Sequence, residues 1–204
     1  MNDKPEIVII DTCPPWIDGI ATWLAGAGYV CHKHIVAQDI IDGAHFTLPQ
    51  IKYTIAILGL HLPSVIAFQL CRTLVQAATR CVLFCKHSDE WYVPIDACYV
   101  GAAACLPSSI EQTDFLRVIQ IVVAGGRYFD AHIQAEASQI FDLTPRELEI
   151  LTWLAQDLSD HDIAERSDRS VNTVRNQVQS ILAKLNVRSR VEAKYRALHR
   201  GLVA

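Results

Sequence analysis

The sequence predicts two domains, an α/β doubly wound parallel sheet of five strands followed by an all-α domain. Three observations carry this. Apolar runs of strand length alternate with amphipathic stretches of helical length as far as residue 124, the pattern of βαβ units. From Leu143 onward the strand-like runs give way to short amphipathic helices. Between them, AHIQAEASQIFD at 131–142 is polar, rich in Ala and Gln and without a strong apolar period, which reads as a loose or partly helical linker. The expected division is therefore residues 1–125, a linker at 126–142, and residues 143–204. A chain of 204 residues, 51% of them hydrophobic, has the material for two cores.

In the first domain EIVIID at 6–11 is a buried-strand run, and 17–27 is helical, with Ile17, Ile20 and Leu24 in register. Residues 29–34 and TIAILGL at 54–60 are the next strands, followed by a helix over 67–78 and the strand RCVLFC at 80–85. A weaker helix over 89–99 is interrupted by Pro94. A short strand at 103–106 precedes a strongly amphipathic helix over 111–124, with Phe115, Leu116, Ile119 and Val122 or Val123 inward. Doubly wound sheets carry their functional site at the carboxyl ends of the strands. The candidate positions are thus residues 11–13, 59–61, 85–87 and 106–108.

The second domain opens on Thr144-Pro145-Arg146-Glu147, a capping box with Pro at the first helical position. Leu148, Leu151 and Leu154 follow at helical spacing, with Ile150 beside them. Ser159 opens a second helix with Ile163 and Ala164 as its apolar positions, and the polar stretch 166–170 is a turn. A third helix buries Val171, Val174, Val178, Ile181, Leu182 and Leu185, while Asn172, Arg175, Asn176, Gln179 and Lys184 fall on other faces. Two helices joined by a tight turn, the second basic and rich in amides, make a helix-turn-helix. Arg binds guanine and Asn or Gln binds adenine bidentately, so the exposed face carries base-reading chemistry.

Charge in this domain is sorted along the chain. From Asp142 to Asp168 acids dominate, against Arg146 and Arg166; from Arg169 to Arg200 eight cations face only Glu192. The formal net charge of −4 conceals this asymmetry. A basic closing half is the electrostatic footprint of a polyanion partner, here double-stranded DNA.

The order LTPRE, DIAE, VNTVRNQVQSILAKLNVRSR and a closing helix over 191–198 resembles the DNA-binding domain of NarL/LuxR-family transcription regulators. The resemblance implies four helices, the third in the major groove and the fourth used for dimerisation. By position it implies that Arg175, Asn176 and Gln179 face bases and that Thr173 contacts phosphate. Asn172 stands where Lys is common, and Asn176-Gln177 where a small residue and a His are common.

In front of such a domain, the α/β pattern resembles the phosphoacceptor receiver of response regulators. GLHLP at 59–63, VLFCKHSDE at 82–90, GAAACLPSS at 101–109 and GGRYFD at 125–130 carry the likeness. The positions that the resemblance assigns to phosphoryl chemistry have changed. Asp11 remains, but Thr12 replaces the second acid, Gly59 the phosphoacceptor carboxylate, Cys85 the Thr/Ser and Ser108 the Lys. Without a carboxylate at residue 59 no acyl phosphate forms there, and Asp11 alone is a poor Mg²⁺ site. Asp18 and Asp39 do not restore the acidic pair. The implied state is a pseudo-receiver that keeps the fold and has lost the phosphorylation.

Two expectations follow for that end of the sheet. The lost side chains leave room beside Gly59 for a small ligand, with His61 and His87 at the mouth. Cys13, Cys85 and Cys105 map nearby, either as oxidation- or metal-sensitive thiols or as small buried hydrophobes. His32 and His34 share one strand face, and Cys81 and Cys85 another, without the spacing of a zinc site. Trp91 and Tyr92 on the weak helix read as an apolar patch for a partner. No cofactor, metal or catalytic constellation is expected, so an enzyme is not. The start MNDKPEIVII has no secretory pattern, no stretch has the length of a membrane span, and the seven cysteines read as reduced thiols in a cytoplasm. The expected function is a dimeric, sequence-specific DNA-binding regulator controlled without aspartyl phosphorylation. The other reading is an interaction protein that heterodimerises with a response regulator.

Overall fold

The structure is a computed structural model that describes residues 5–36, 53–85, 92–138 and 143–203. Asp39, His87, Trp91 and the end of the expected linker lie outside these residues. The chain divides into two compact units, Met1–Ser138 and Gln139–Ala204.

The first unit is built from β1 (Glu6–Asp11), α1 (Pro14–Gly26), β2 (Val30–Ile35), β3 (Ile55–Leu58), α2 (Ser64–Gln76), β4 (Arg80–Cys85), α3 (Tyr92–Tyr99), β5 (Ala104–Pro107), α4 (Gln112–Val123) and α5 (Ala131–Ala137). All five strands are parallel, in the order β2-β1-β3-β4-β5. Strands covered on both faces need continuous apolar runs. Ile7 to Ile10 and Ile55 to Leu58 meet that need and are wholly buried. β2, at the edge, is only partly covered and keeps Val30 and Ile35 exposed. One face carries α1 and α4 through Ile17, Ile20, Leu24, Phe115 and Ile119. The other carries α2 and α3 through Phe68, Cys71, Leu74, Val93 and Ala97. The strand order reverses between β1 and β3, which makes the carboxyl ends of those two strands the switch point.

Helix α3 runs through Pro94 over Tyr92–Tyr99, and residues 89–91 of the expected helix lie outside the described residues. One expectation differs from this structure. Residues 126–138, expected as linker, pack on the first unit instead. Tyr128 donates its backbone N–H to the Ala103 carbonyl at 2.7 Å. The Arg127 guanidinium donates to the carbonyls of Ala102 (3.1 Å) and Cys98 (2.8 Å) and lies over the Phe129 ring. Ala137 and Ile133 of α5 then close on Ile95 and Cys98 of α3. A weak apolar period concealed a helix that needs only one small patch of contact.

The second unit holds α6 (Pro145–Ala155), α7 (Asp160–Ser167), α8 (Val171–Lys184) and α9 (Arg190–Arg200) around a core of Ile150, Leu151, Leu154, Ile163, Val174, Val178, Ile181 and Leu185. Leu148 points outward and Trp153 inward, so the buried stripe of α6 is turned from the Leu-only spacing.

Arg127 joins the Cys98 carbonyl in the last turn of α3 and the Ala102 carbonyl of the following loop to the segment that carries α5. Arg127→Ala should cost roughly 1.5–3 kcal/mol, the range for hydrogen bonds to a charged group. Arg127→Lys should recover only part of it, lacking the planar fork. Denaturant unfolding of the full chain checks both.

Candidate functional site

The helix-turn-helix is set by caps. The Ser159 hydroxyl accepts from the Asp162 N–H at 3.2 Å and the Asp162 carboxylate accepts from the Ser159 N–H at 3.0 Å, starting α7. Asp168 ends it in the left-handed region, at φ 52°. Asp takes that conformation more readily than most residues. The Ser170 hydroxyl accepts from the Thr173 N–H at 3.1 Å and starts α8. The two helices are thereby aimed by a three-residue turn, 168–170.

On α8 the inward stripe is Val174, Val178, Ile181 and Leu182. Asn172, Arg175, Asn176 and Gln179 are exposed together on the opposite side. Arg175 donates to the Asn172 side-chain oxygen at 3.2 Å, which steadies both. Thr173 is half-buried in the first turn, its hydroxyl 2.8 Å from that of Ser170. Helix N-termini favour anions, so this is a competent place for a phosphate contact. Four of the six expected DNA-binding residues thus share one face of the helix, and Thr173 sits at its start.

Lys184 stands apart from them. At the far end of α8 it donates to Glu147 at 2.7 Å, and Ser180 donates to the same carboxylate at 2.9 Å. Glu147 also accepts from the backbone and hydroxyl of Thr144, both at 2.9 Å, completing the capping box of α6. Lys184 therefore joins α8 to the start of α6.

Other cations behave likewise. Arg190 pairs with Asp160, and Lys194 with Asp157. Arg196 and Arg200 are buried, and Arg196 donates to the Leu185 carbonyl at 2.7 Å. The acidic and basic halves of the domain fold onto each other; of the eight cations Arg169, Arg175, Lys184 and Arg188 are exposed, with Lys184 held by Glu147 and Arg175 3.9 Å from Asp160. A count of charge along the sequence overstates the external footprint, because it does not show which cations are internal partners.

In the first unit, Asp11, Thr12, Gly59, Cys85 and Ser108 come together at the carboxyl end of the sheet, following β1, β3, β4 and β5. Asp11 is wholly buried. Its carboxylate accepts from the Cys13 N–H at 2.8 Å and the His61 N–H at 3.2 Å, and lies 3.1 Å from His61 Nδ1. A Cβ built on Gly59 would stand 1.7 Å from Asp11 Oδ2 and 2.6 Å from Trp16 Cζ3. Trp16 is in turn held edge-on by Phe84, with ring centroids 5.1 Å apart. The volume of a residue-59 side chain is thus occupied by Asp11 and Trp16. His61 was placed at the mouth by its number, but its contact with Asp11 and the intrusion of Trp16 needed three dimensions.

A cavity of about 340 Å³ does lie beside the Gly59 backbone, lined by Leu60, Leu62, Phe68, Leu83, Cys85 and Val93 among others. Cys85 donates to the Leu106 carbonyl at 3.4 Å, and the Cys105 thiol is hydrogen-bonded to Cys85. That bond and burial push the Cys105 thiol well up from its ordinary value. The Cys13 backbone donates its N–H to Asp11 at 2.8 Å and accepts from the Ile17 N–H at 3.1 Å. His32 stacks obliquely on Tyr53, 5.4 Å between ring centroids, and lies 3.9 Å from the Glu6 carboxylate.

Two outcomes test these arrangements. Burial alone raises a carboxylate's pKa, but the bonds from Lys184, Thr144 and Ser180 outweigh it and hold Glu147 at about 2. A depressed carboxylate stabilises the fold above its unfolded value, near 4.5, and that stability is lost as pH falls toward 2. Its full size is on the order of 3 kcal/mol. Glu147→Gln should unfold the second unit more easily at neutral pH and flatten its stability between pH 5 and 2, as followed by thermal melts across that range. Gly59→Ala should cost roughly 1–3 kcal/mol, the range for overpacking a filled site, in denaturant unfolding of the first unit.

Comparison with known proteins agrees with this architecture. Residues 142–197 match the model for "Bacterial regulatory proteins, luxR family". The transcriptional regulatory protein DegU of Brevibacillus brevis is 25% identical over 99% of this chain and 96% of its own. The DNA-binding transcriptional activator DevR/DosR of Mycobacterium tuberculosis is 28% identical over 72% of this chain and 73% of its own. The nitrate/nitrite response regulator NarL of Escherichia coli is 32% identical over 56% and 58%. Among solved structures, RcsB in complex with DNA superposes with a TM-score of 0.67 over 95% of this chain and 98% of that one, at 16% identity, a likeness of fold alone. The second unit is thus a luxR-family helix-turn-helix domain, and the chain is homologous to the DegU- and NarL-type response regulators.

Proposed function

We propose that this protein is a transcription regulator that binds operator DNA as a homodimer and works without aspartyl phosphorylation of its receiver-like domain. DNA binding is supported first by the exposed set Asn172, Arg175, Asn176 and Gln179, opposite the buried stripe of α8. The matched luxR-family model and the names of DevR/DosR and the RcsB complex point the same way. Base edges are read by Arg175, Asn176 and Gln179, with Asn172 beside them, and Thr173 with the α8 N-terminus takes a phosphate. Lys184 contributes by holding α8 against α6 and not by touching DNA.

Dimerisation is supported by α9. Val191 and Tyr195 are exposed, 62% and 38%, and half-buried Leu198 continues the row at i, i+4, i+7. The same apolar row meets itself across a two-fold axis. That axis matches half-sites one helical turn apart. Phosphorylation independence is supported by the filled space at Gly59: a nucleophile is missing, and Asp11, spent on Cys13 and His61, is not presented to a metal ion.

Arg175→Ala should weaken operator binding by about 1–3 kcal/mol and relax preference at one base. With few external cations, the salt slope should reflect a handful of phosphate contacts per protomer and not the eight cations counted from Arg169 to Arg200. Gel-shift titrations of the full chain at several salt concentrations read both. Acetyl phosphate, or beryllofluoride with Mg²⁺, should change neither intact mass nor dimer fraction in sedimentation. A phosphoryl adduct on an aspartate of the first unit would refute that part, and a monomer on operator DNA would favour heterodimerisation with another regulator.

A further inference from the structure

Four of the seven cysteines lie on or against the sheet face packed by α2 and α3: Cys71, Cys81, Cys85 and Cys105. Two of these form a pair at the cavity. The β4–β5 register sets Cys105 opposite Leu83, so Cys85 is its diagonal neighbour, two residues further along and on the same face. Both thiols are half-buried, and Cys85 lines the cavity of about 340 Å³.

Bond geometry decides what such a pair can do. A disulfide needs Cα atoms within roughly 7 Å. Diagonal neighbours on adjacent strands stand roughly 7–8 Å apart, so joining the sulfurs directly would pull the strands together. A metal ion between the sulfurs adds two bonds of roughly 2.3 Å each. That span suits thiols already in hydrogen-bond contact and leaves the backbone in place.

Ligand number and charge narrow the metal. Among the described residues no group of three or more His, Cys, Asp or Glu is placed to hold one ion. Those residues thus offer two ligands, fewer than the four that Zn²⁺ takes and enough for a soft ion content with two thiolates. Two thiolates and a divalent ion form a neutral unit. A monovalent ion would leave a net negative charge among Leu60, Leu62, Phe68 and Val93, which is costly.

We propose that Cys85 and Cys105 form a two-coordinate site for a soft, thiophilic divalent cation, with Hg(II) as its type. Binding breaks two S–H bonds, forms two S–metal bonds and releases two protons to solvent, with no change of oxidation state. Because both protons must leave, affinity rises with pH, by roughly a hundredfold per unit while both thiols are protonated at rest.

The test uses the full chain with Hg(II) in excess monothiol, which strips singly held metal from the other cysteines. Native mass spectrometry should show one equivalent retained and Zn(II) not retained. Cys85→Ala and Cys105→Ala should each weaken retention roughly a hundredfold or more, through loss of the second, intramolecular ligand, while Cys81→Ala, which breaks the other hydrogen-bonded cysteine pair, should not. Alanine suits the test because Cys packs as a small hydrophobe. Wild-type protein that retains nothing, or a Cys85→Ala, Cys105→Ala double variant that retains one equivalent, overturns the proposal. If a variant fails to fold, the wild type still decides: one equivalent retained against monothiol, with two protons released per first equivalent when Hg(II) chloride is added to the metal-free protein in unbuffered solution without monothiol, supports it, and release of one proton or none overturns it.

Discussion

A carboxylate without water must find its hydrogen bonds inside the protein. Asp11, at the end of β1, finds them in the backbone N–H groups of Cys13 and His61 and in the His61 ring. These contacts tie the ends of β1 and β3 across the switch point, where an open sheet would otherwise present its functional crevice. Trp16 closes the space from α1, and Phe84 supports Trp16 from β4. The packing of the strand ends follows from this one group: its burial needs the His61 loop in place and leaves no volume for a side chain at residue 59.

The second unit depends on a different electrostatic economy. Its acids and bases are segregated in the sequence so that helices from the two halves attract. Glu147 to Lys184, Asp160 to Arg190 and Asp157 to Lys194 are three such closures. Exposed pairs contribute little on their own. Glu147 differs because it is buried and also completes a capping box. What remains outside is an amide-rich helix face with one arginine at its centre. Such a face favours reading bases over gripping the backbone.

Much of the architecture was legible in the sequence because its signals are local. Strands buried on both faces show as unbroken apolar runs, as at Ile7 to Ile10. Helix starts show as Thr144 with Glu147 and Ser159 with Asp162. The face of α8 follows from a period of 3.6 residues. The rest depends on partners distant along the chain. Nothing near Lys184 or Arg196 distinguishes an internal cation from one that meets a phosphate. Residues 126–138 lack a strong period because only Ile133 and Ala137 of α5 need touch α3. The substitution at residue 59 was visible, but the filling of its space was not, since Trp16 and Asp11 are 43 and 48 positions away. Cys85 and Cys105 are brought together by strand register, which sequence patterns alone do not give.

The interlock at Gly59 also limits how this end of the sheet can change. The indole of Trp16 and the turned-in carboxylate of Asp11 occupy the volume beside residue 59, so a side chain introduced there by a single substitution meets neighbours that do not admit it. Trp16 must shrink and Asp11 must turn outward for it to fit. Packing thus couples three positions that stand far apart in the sequence, and an exchange at residue 59 is tolerated only together with changes at the other two.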